Sequence, residues 1–405
     1  MGRFRRSAGR TGSRGGRLWG VDAARGVALI GMMLVHVLTT TDDATGEPTW
    51  VGMIFSGRSA ALFAVLAGVG IALLTGGSDP DRSNAEVSRD RKGLAIRAGL
   101  VVLIGLSAAL LDAGVAVILV HYGLMFLLAL PFLRLGAKSL FGLTAAWTAL
   151  MPVVFWFAQN RLRDHEGALP ADQRLWSSPA LTDLARPQLL LQDLLLTGYY
   201  PLLLWPAFVF FGMAIGRLPL KRGITAQWLL LLGAGLAAGT YLVHWLAIQH
   251  TEVVTRIAAS GNWSETEILG GLEVNDHFMP MVASEDWFLL ATAHQGSPVG
   301  LLHHMGCAAA VLGLCLMAEK AKWLIAPLAG AGAMPLTLYV GHLVVLHFWR
   351  SDQQWIPAEF AELSAPMLAV WFVGGFLVLG LVKMLLRRRG PLEGLVYALS
   401  TTATR

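Results

Sequence analysis

The sequence predicts an all-α, polytopic membrane protein of about ten transmembrane helices with both termini in the cytoplasm. Three observations predict it. The chain is too apolar for a water-soluble domain, with 55% hydrophobic residues, 14% charged residues and a mean hydropathy of +0.58. Its apolar residues fall into stretches near the roughly 20 residues that a ~30 Å hydrocarbon core demands. Lysine and arginine gather in alternate connections, from Arg3 to Arg17, Arg82 to Lys92, Arg134 and Lys138, Arg217 to Arg222, Lys320 and Lys322, and Lys383 to Arg389. The opposite connections carry acids such as Asp42, Glu47, Glu265 and Asp276. By the positive-inside rule, the basic side is cytoplasmic.

The first predicted helix covers 18–39 and follows a Gly-, Ser- and Arg-rich tail, 1–17, expected to be disordered near the headgroups. This stretch is longer than a signal-peptide apolar region, holds a charged pair and ends without a small-x-small cleavage pattern, so it reads as a retained helix. Arg25 and His36 lie eleven positions apart, which at 100° per residue puts them about 20° apart on one face and about 16 Å apart along the axis. Asp22 lies one turn before Arg25 and is placed to pair with it. Ionisable groups inside a bilayer are costly and face the bundle interior, so this stripe is the leading candidate for chemistry. His36, near the exterior interface, suits a base or acyl carrier near neutral pH, and Arg25 suits a phosphate or carboxylate clamp. The bland alternatives are a histidine bonded within the bundle and a plain Asp22–Arg25 ion pair.

The second helix, 54–75, opens at Arg58 level with His36 and carries Gly68 and Gly70, which permit close helix approach. Arg58 either snorkels to headgroups or anchors an anionic or hydroxylated substrate. A polar connection, 76–92, leads to helices over 94–113, 115–134 and 139–158, with Arg97, Asp112, His121 and Tyr122 as their polar residues. The exterior segment 159–198 contains the short apolar run Leu189 to Leu196, and 249–297 contains Phe278 to Leu290. Both runs are too short to cross and suggest interfacial helices over the exterior mouth. Helices over 199–217 and 226–248 lie between these segments.

The eighth helix, 298–318, follows His294 and Ser297, which are placed to line the mouth. Its His303 and His304 are adjacent and cannot both face one metal from a helix, so no metal site is expected. Cys307 and Cys315, eight positions apart on this helix, lie about 12 Å apart and cannot bridge. The ninth helix, 324–348, carries Tyr339 and His342 one turn apart after Gly332 to Thr337. The tenth covers 364–386. One transmembrane domain, 18–395, and a short cytoplasmic tail, 396–405, complete the expected organisation.

The net charge of +5 reflects the positive-inside bias and attraction to the lipid bilayer, not nucleic acid. No phosphate-binding loop, hydrolase elbow or zinc-protease pattern stands in a fitting context. The Asn262-Trp263-Ser264 sequon carries no weight in a chain whose Arg-over-Lys and Ala/Gly/Leu bias reads as bacterial, which places the protein in a bacterial inner (plasma) membrane.

Gly20-Val21-Asp22-Ala23-Ala24-Arg25-Gly26 and the apolar run to His36 resemble the first helix of the transmembrane acyltransferase superfamily, and the Arg25/His36 spacing resembles the hallmark of its acyltransferase-3 branch. Phe55 to Arg58, Leu66 to Gly70, Gly332 to Tyr339 and Arg389 to Glu393 resemble more the bacterial branch related to heparan-alpha-glucosaminide N-acetyltransferase and the DUF418 proteins. The resemblance implies acyl transfer from cytoplasmic acetyl-CoA, or another acyl-CoA, to a glycan or other small polar acceptor at the exterior face. It maps Arg25 and His36 onto the motif. Bottom-up, Arg25 with Asp22 would receive the phosphate end of the acyl-CoA and His36 would meet the thioester, with Arg58, His294, Ser297, Tyr339 and His342 lining the acceptor side. A transporter or exporter of a small polar metabolite is the competing reading, with Arg25, Arg58 and His36 as substrate or proton-relay sites. An apolar bundle of this kind is compatible with a homodimer.

Overall fold

In a computed structural model the described residues are 17–42, 44–78, 83–163, 170–175, 177–260, 263–274, 280–294, 296–351 and 362–402. The basic tail to residue 16, Asn262 of the sequon and the start of the Phe278 run lie outside them. The described chain is all-α, with one isolated β-bridge between Thr41 and Pro48. The helices are α1 (Trp19–Val37), α2 (Trp50–Phe55), α3 (Arg58–Leu74), α4 (Asn84–Ala108), α5 (Leu119–Ala129), α6 (Ala137–Leu162), α7 (Pro187–Gln192) and α8 (Pro206–Gly216). They continue as α9 (Gly223–His250), α10 (Val253–Ser260), α11 (Glu265–Val274), α12 (Pro298–Met317), α13 (Lys322–Ala331), α14 (Pro335–Arg350), α15 (Ala365–Leu386) and α16 (Pro391–Thr402).

Among the described residues, seven helical stretches are long and apolar enough to cross a membrane, and Leu119–Phe132 and Pro206–Gly216 are shorter apolar helices. The protein is therefore an all-α polytopic membrane protein. Two expected boundaries move. The polar connection expected over 76–92 is helical from Asn84, because Ser83 and Glu86 form a capping box in which the Ser83 amide donates to Glu86 Oε2 at 2.9 Å. The ninth apolar segment is two helices, α13 and α14. Gly332 lies so close to α1 that a Cβ there would sit 1.8 Å from the Asp22 carbonyl oxygen. Pro335 then starts α14 at its first turn, where its missing N–H costs nothing.

Helix α1 lies in the middle of the bundle, packed on α3, α12, α13 and α15, with Ala23, Ala24, Ala28 and Leu29 fully buried. Small residues set these distances, since apolar side chains gain no hydrophobic energy against lipid and association rests on close packing. Gly68 of α3 lies against the Val209 carbonyl of α8, and Gly212 against the Val65 carbonyl. Gly306 and Gly233 bring α12 and α9 together in the same way, as do Gly330 and Gly380 for α13 and α15. The outer faces of α9 and α15 present Leu231, Leu232, Val370 and Trp371, as lipid contact requires.

The segments between α9 and α12 fold over the end of the bundle at which His36 lies. Trp287 is fully buried and stacks on Phe155 of α6, with ring centroids 5.8 Å apart. Asn160 donates to the Val282 carbonyl at 3.2 Å, and Ser56 donates to the Val274 carbonyl at 2.9 Å. Arg256 holds Asp286 through two bonds of 2.8 and 2.7 Å. This guanidinium keeps the Asp286 carboxyl below the usual range, aided by the Ser284 hydroxyl.

Two outcomes follow. Gly212→Ala forces its Cβ within 1.9 Å of the Val65 carbonyl oxygen and should cost about 1–3 kcal/mol of stability, whereas Gly239→Ala, with open space beside it, should cost none; thermal unfolding in detergent distinguishes them. Because the folded carboxyl of Asp286 is held below its unfolded value, its pairing contributes fully above about pH 4 and is lost as pH falls through the folded value. Protease cleavage of the 249–297 segment should therefore rise below pH 4 in the wild type, and Asp286→Asn should remove that pH dependence.

Candidate functional site

Helix α1 carries ionisable groups at both ends. Near its start the buried Asp22 carboxylate accepts from Arg25 Nη1 at 3.0 Å and from Arg17 Nε at 2.5 Å. Arg25 Nη2 reaches across to the Leu66 carbonyl of α3 at 3.3 Å. Gly70 makes room for it, since a Cβ there would lie 2.7 Å from Nη2. Arg25 is thus fixed by an acid and a carbonyl while its side chain keeps 21% exposure. Close by, Glu393 caps α14: it accepts from the Leu336 and Thr337 amides at 2.7 and 3.1 Å and from the Thr337 hydroxyl at 2.5 Å. The Glu393 carboxylate thereby satisfies two amides of a helix start that would otherwise be unpaired inside the protein.

At the other end the structure brings His36, Tyr339 and His342 together and leaves Arg58 and Ser297 in separate settings. His36 Nδ1 lies 3.1 Å from His342 Nε2, with the two rings tilted by only 11°. His342 Nδ1 makes a short hydrogen bond to the Tyr339 carbonyl. A carbonyl only accepts, so His342 carries its proton on Nδ1 and presents a lone pair at Nε2. His36 must then donate from Nδ1. In the neutral ring its Nε2 is left as an unprotonated acceptor, which is the form a general base needs.

The surrounding residues hold this pair in place. Arg350 donates to the His36 carbonyl at 2.7 Å and to the Ala113 carbonyl at 2.5 Å. The Tyr339 hydroxyl receives the Ile118 amide at 3.2 Å and faces the Ala116 carbonyl at 3.5 Å. Tyr200 reaches the same Ala116 carbonyl at 3.4 Å. Its ring lies edge-on to His121 and His294, at 5.6 and 6.0 Å. Both nitrogens of His121 are buried without a hydrogen-bond partner, as is His294 Nδ1. His294, in the left-handed region at φ +56°, stacks against Trp205 at 6.5 Å. Burial lowers its pKa to about 4, so it stands neutral at physiological pH.

Arg58 opens α3, donating Nε to His303 Nε2 at 3.3 Å and Nη1 to the Met53 carbonyl at 2.7 Å. The Cys307 thiol lies 3.6 Å from the same imidazole nitrogen. Ser297 caps α12, accepting from the Gly300 amide at 2.9 Å and donating to the Leu290 carbonyl, so its hydroxyl is committed to the helix start. Among the described residues, no group of three or more His, Cys, Asp or Glu side chains forms a metal cage. Sequence reasoning missed Arg350, Tyr200 and Trp205 as neighbours of the site. A tyrosine or arginine near a helix end has many ordinary uses, and only the tertiary fold shows that these three converge on His36 and His294.

The family model described as heparan-alpha-glucosaminide N-acetyltransferase, catalytic, matches residues 17–246, more than half of the chain. The match covers Asp22, Arg25, His36, Arg58 and Tyr200, and ends before His294, His304, Tyr339 and His342. A search of the curated proteins finds no match.

The hydrogen-bond order predicts an observable state. Nitrogen-15 spectra of labelled imidazoles should show His36 protonated at Nδ1 in the wild type. Replacing its acceptor by His342→Phe, which keeps a ring in place, should give a mixture of the two tautomers; an unchanged His36 signal would contradict the assignment.

Proposed function

The chain belongs to the heparan-alpha-glucosaminide N-acetyltransferase catalytic family, and from that membership and the His36 geometry we propose that it moves an acetyl group across the membrane, from acetyl-CoA at the cytoplasmic end of α1 to a hydroxyl or amine at the exterior end. The observation that carries this reading is the His36 to His342 to Tyr339 chain, which leaves a basic lone pair on His36 in the same helix as Arg25. The rise of about 16 Å between them is comparable to an extended pantetheine arm. Arg25, held by Asp22, takes the phosphate-bearing end of acetyl-CoA, where a forked guanidinium fits best. The thioester then lies near His36.

His36 Nε2 accepts the proton of the acceptor's O–H or N–H group as that heteroatom attacks the thioester carbonyl carbon. The new C–O or C–N bond forms, the C–S bond breaks, and the coenzyme thiolate leaves and takes up a proton. Positioned proton transfer of this kind contributes about 10²–10⁴-fold in rate. His342 keeps the attacking tautomer in place, and Tyr339 keeps His342 in place. The alternation of basic and acidic connections supports termini on the cytoplasmic side, and the Arg-over-Lys and Ala/Gly/Leu bias supports a bacterial plasma membrane as the setting.

Release of free coenzyme thiol from acetyl-CoA by the purified protein, in the presence of candidate sugars, tests the reading. His36→Ala should lower the rate at least 100-fold, at the low end of the range for lost acid–base catalysis, with an unchanged elution profile. Arg25→Ala should raise the KM for acetyl-CoA about tenfold, the loss of roughly one charge-assisted bond of about 1.4 kcal/mol or more. Full transfer by His36→Ala would remove His36 from its role.

A further inference from the structure

Between α4 and α5 the chain over 112–117 is neither helix nor strand, so its backbone groups must find partners elsewhere. Side chains from distant parts of the sequence supply them. Arg350 donates to the Ala113 carbonyl, and the Tyr339 and Tyr200 hydroxyls reach the Ala116 carbonyl at 3.5 and 3.4 Å. The Ile118 amide donates to the Tyr339 hydroxyl at 3.2 Å. The connection bends at Gly114, at φ +65°, where a Cβ would lie 2.6 Å from Arg350 Nη1. Ser178, from the exterior segment, completes the set: its hydroxyl accepts from the Val117 amide at 2.8 Å and donates to the Val115 carbonyl at 3.3 Å. One hydroxyl thus grips this strap on both sides of Ala116.

Ser178 is itself braced. On one side the Leu175 amide donates to the buried Asp193 carboxylate at 3.2 Å. On the other the Ala180 amide donates to the buried Asp183 carboxylate at 2.9 Å, and the Asp183 amide returns a bond to the Ala180 carbonyl at 3.1 Å. The far side of the strap meets α14 at Tyr339 and again at Arg350, about 16 Å further along that helix. His342 lies between these two points. Arg350 also donates to the His36 carbonyl, so the strap, α14 and α1 share one guanidinium. The 3.1 Å contact between His36 Nδ1 and His342 Nε2 depends on how α14 sits against α1, and a bond of this kind weakens within a few tenths of an ångström.

We propose that Ser178 is a positioning residue for the histidine pair: by fixing the strap it fixes α14 against α1, and so holds His36 in the tautomer protonated at Nδ1. Ser178 acts through the strap and not on either imidazole. Without its hydroxyl the Val117 amide and the Val115 carbonyl lose a partner together, and unmade bonds of this kind favour release of the strap to water. The consequence for catalysis rests on the acyl-transfer reading; the effect on the strap and on the tautomer does not.

Hydrogen exchange over 113–118 and nitrogen-15 spectra of labelled imidazoles, both on the full-length protein in detergent, test the assignment. Ser178→Ala should speed exchange of the strap about tenfold, the loss of roughly one hydrogen bond, and should turn His36 into a mixture of tautomers. Ser178→Thr keeps the hydroxyl and should keep both signals. Ser177→Ala removes an exposed hydroxyl that donates to the Leu175 carbonyl at 3.4 Å and should change neither. Gly114→Ala disturbs the strap from the Arg350 side and should also mix the tautomers, so the proposal is tested even where Ser178→Ala does not fold. Unchanged strap exchange in Ser178→Ala, or a His36 signal unchanged while the strap exchanges faster, would overturn it. In the coenzyme-release assay Ser178→Ala should lower kcat about tenfold and leave the KM for acetyl-CoA unchanged, because Arg25 lies at the opposite end of α1. Spectra as expected with no transfer by the wild type would remove acyl transfer and keep the strap assignment. Equal transfer by the wild type and Ser178→Ala would keep acyl transfer and remove the positioning role.

Discussion

Everything in this bundle depends on the close burial of α1. Gly20 lies against the backbone of Cys315 and Leu316, Gly26 against Leu328, and Gly31 against Ser59 and Phe55. These contacts come from α12, α13, α3 and α2, so four other helices are located by the small residues of one. Lipid offers no hydrophobic reward for bringing helices together. Contact distance must therefore come from the absence of side chains, and α1 supplies that absence on several sides. The same helix carries Asp22, Arg25 and His36. Its tight fit fixes where the charged groups sit, and their partners then follow: Leu66 for Arg25, His342 and Arg350 for His36.

The fold class was legible because hydropathy and basic-residue placement are summed over long stretches and tolerate local error. The pairing of Asp22 with Arg25 was legible too, as it lies within one turn of one helix. The break between α13 and α14 was not. Its cause, the approach of Gly332 to the Asp22 carbonyl, joins residues 310 positions apart, and an apolar run from 324 to 348 gives no sign of it. Tyr339 and His342 were singled out by their one-turn spacing, but their relation to His36 is tertiary. Ser297 shows the opposite case. Its position at a helix start was visible, and in the structure the hydroxyl is consumed by capping, a frequent fate of serine before a helix.

The family match and the site geometry divide the chain differently. The match ends at residue 246, with the whole of α1 and α3 inside it. The groups that complete the His36 end come from beyond that point: His342, Tyr339 and Arg350 from α14, and His294 and His304 from the approach to α12 and α12 itself. One half of the chain supplies His36, Arg25 and Arg58. The other supplies the His342 imidazole that sets the tautomer of His36 and the Tyr339 carbonyl that orients it.

The cap on α14 has a consequence for how the molecule is made. Glu393, on the last described helix, satisfies the start of a helix begun nearly sixty residues earlier. Until the ribosome has released that carboxylate, α14 enters the bundle with bare amides at Leu336 and Thr337, which are costly to keep away from water. The helix that carries His342 toward His36 is thus secured only once residue 393 has been made. Placement of His342 beside His36 is tied to the arrival of Glu393, and a nascent chain cut short of it lacks the cap that holds α14 in the bundle.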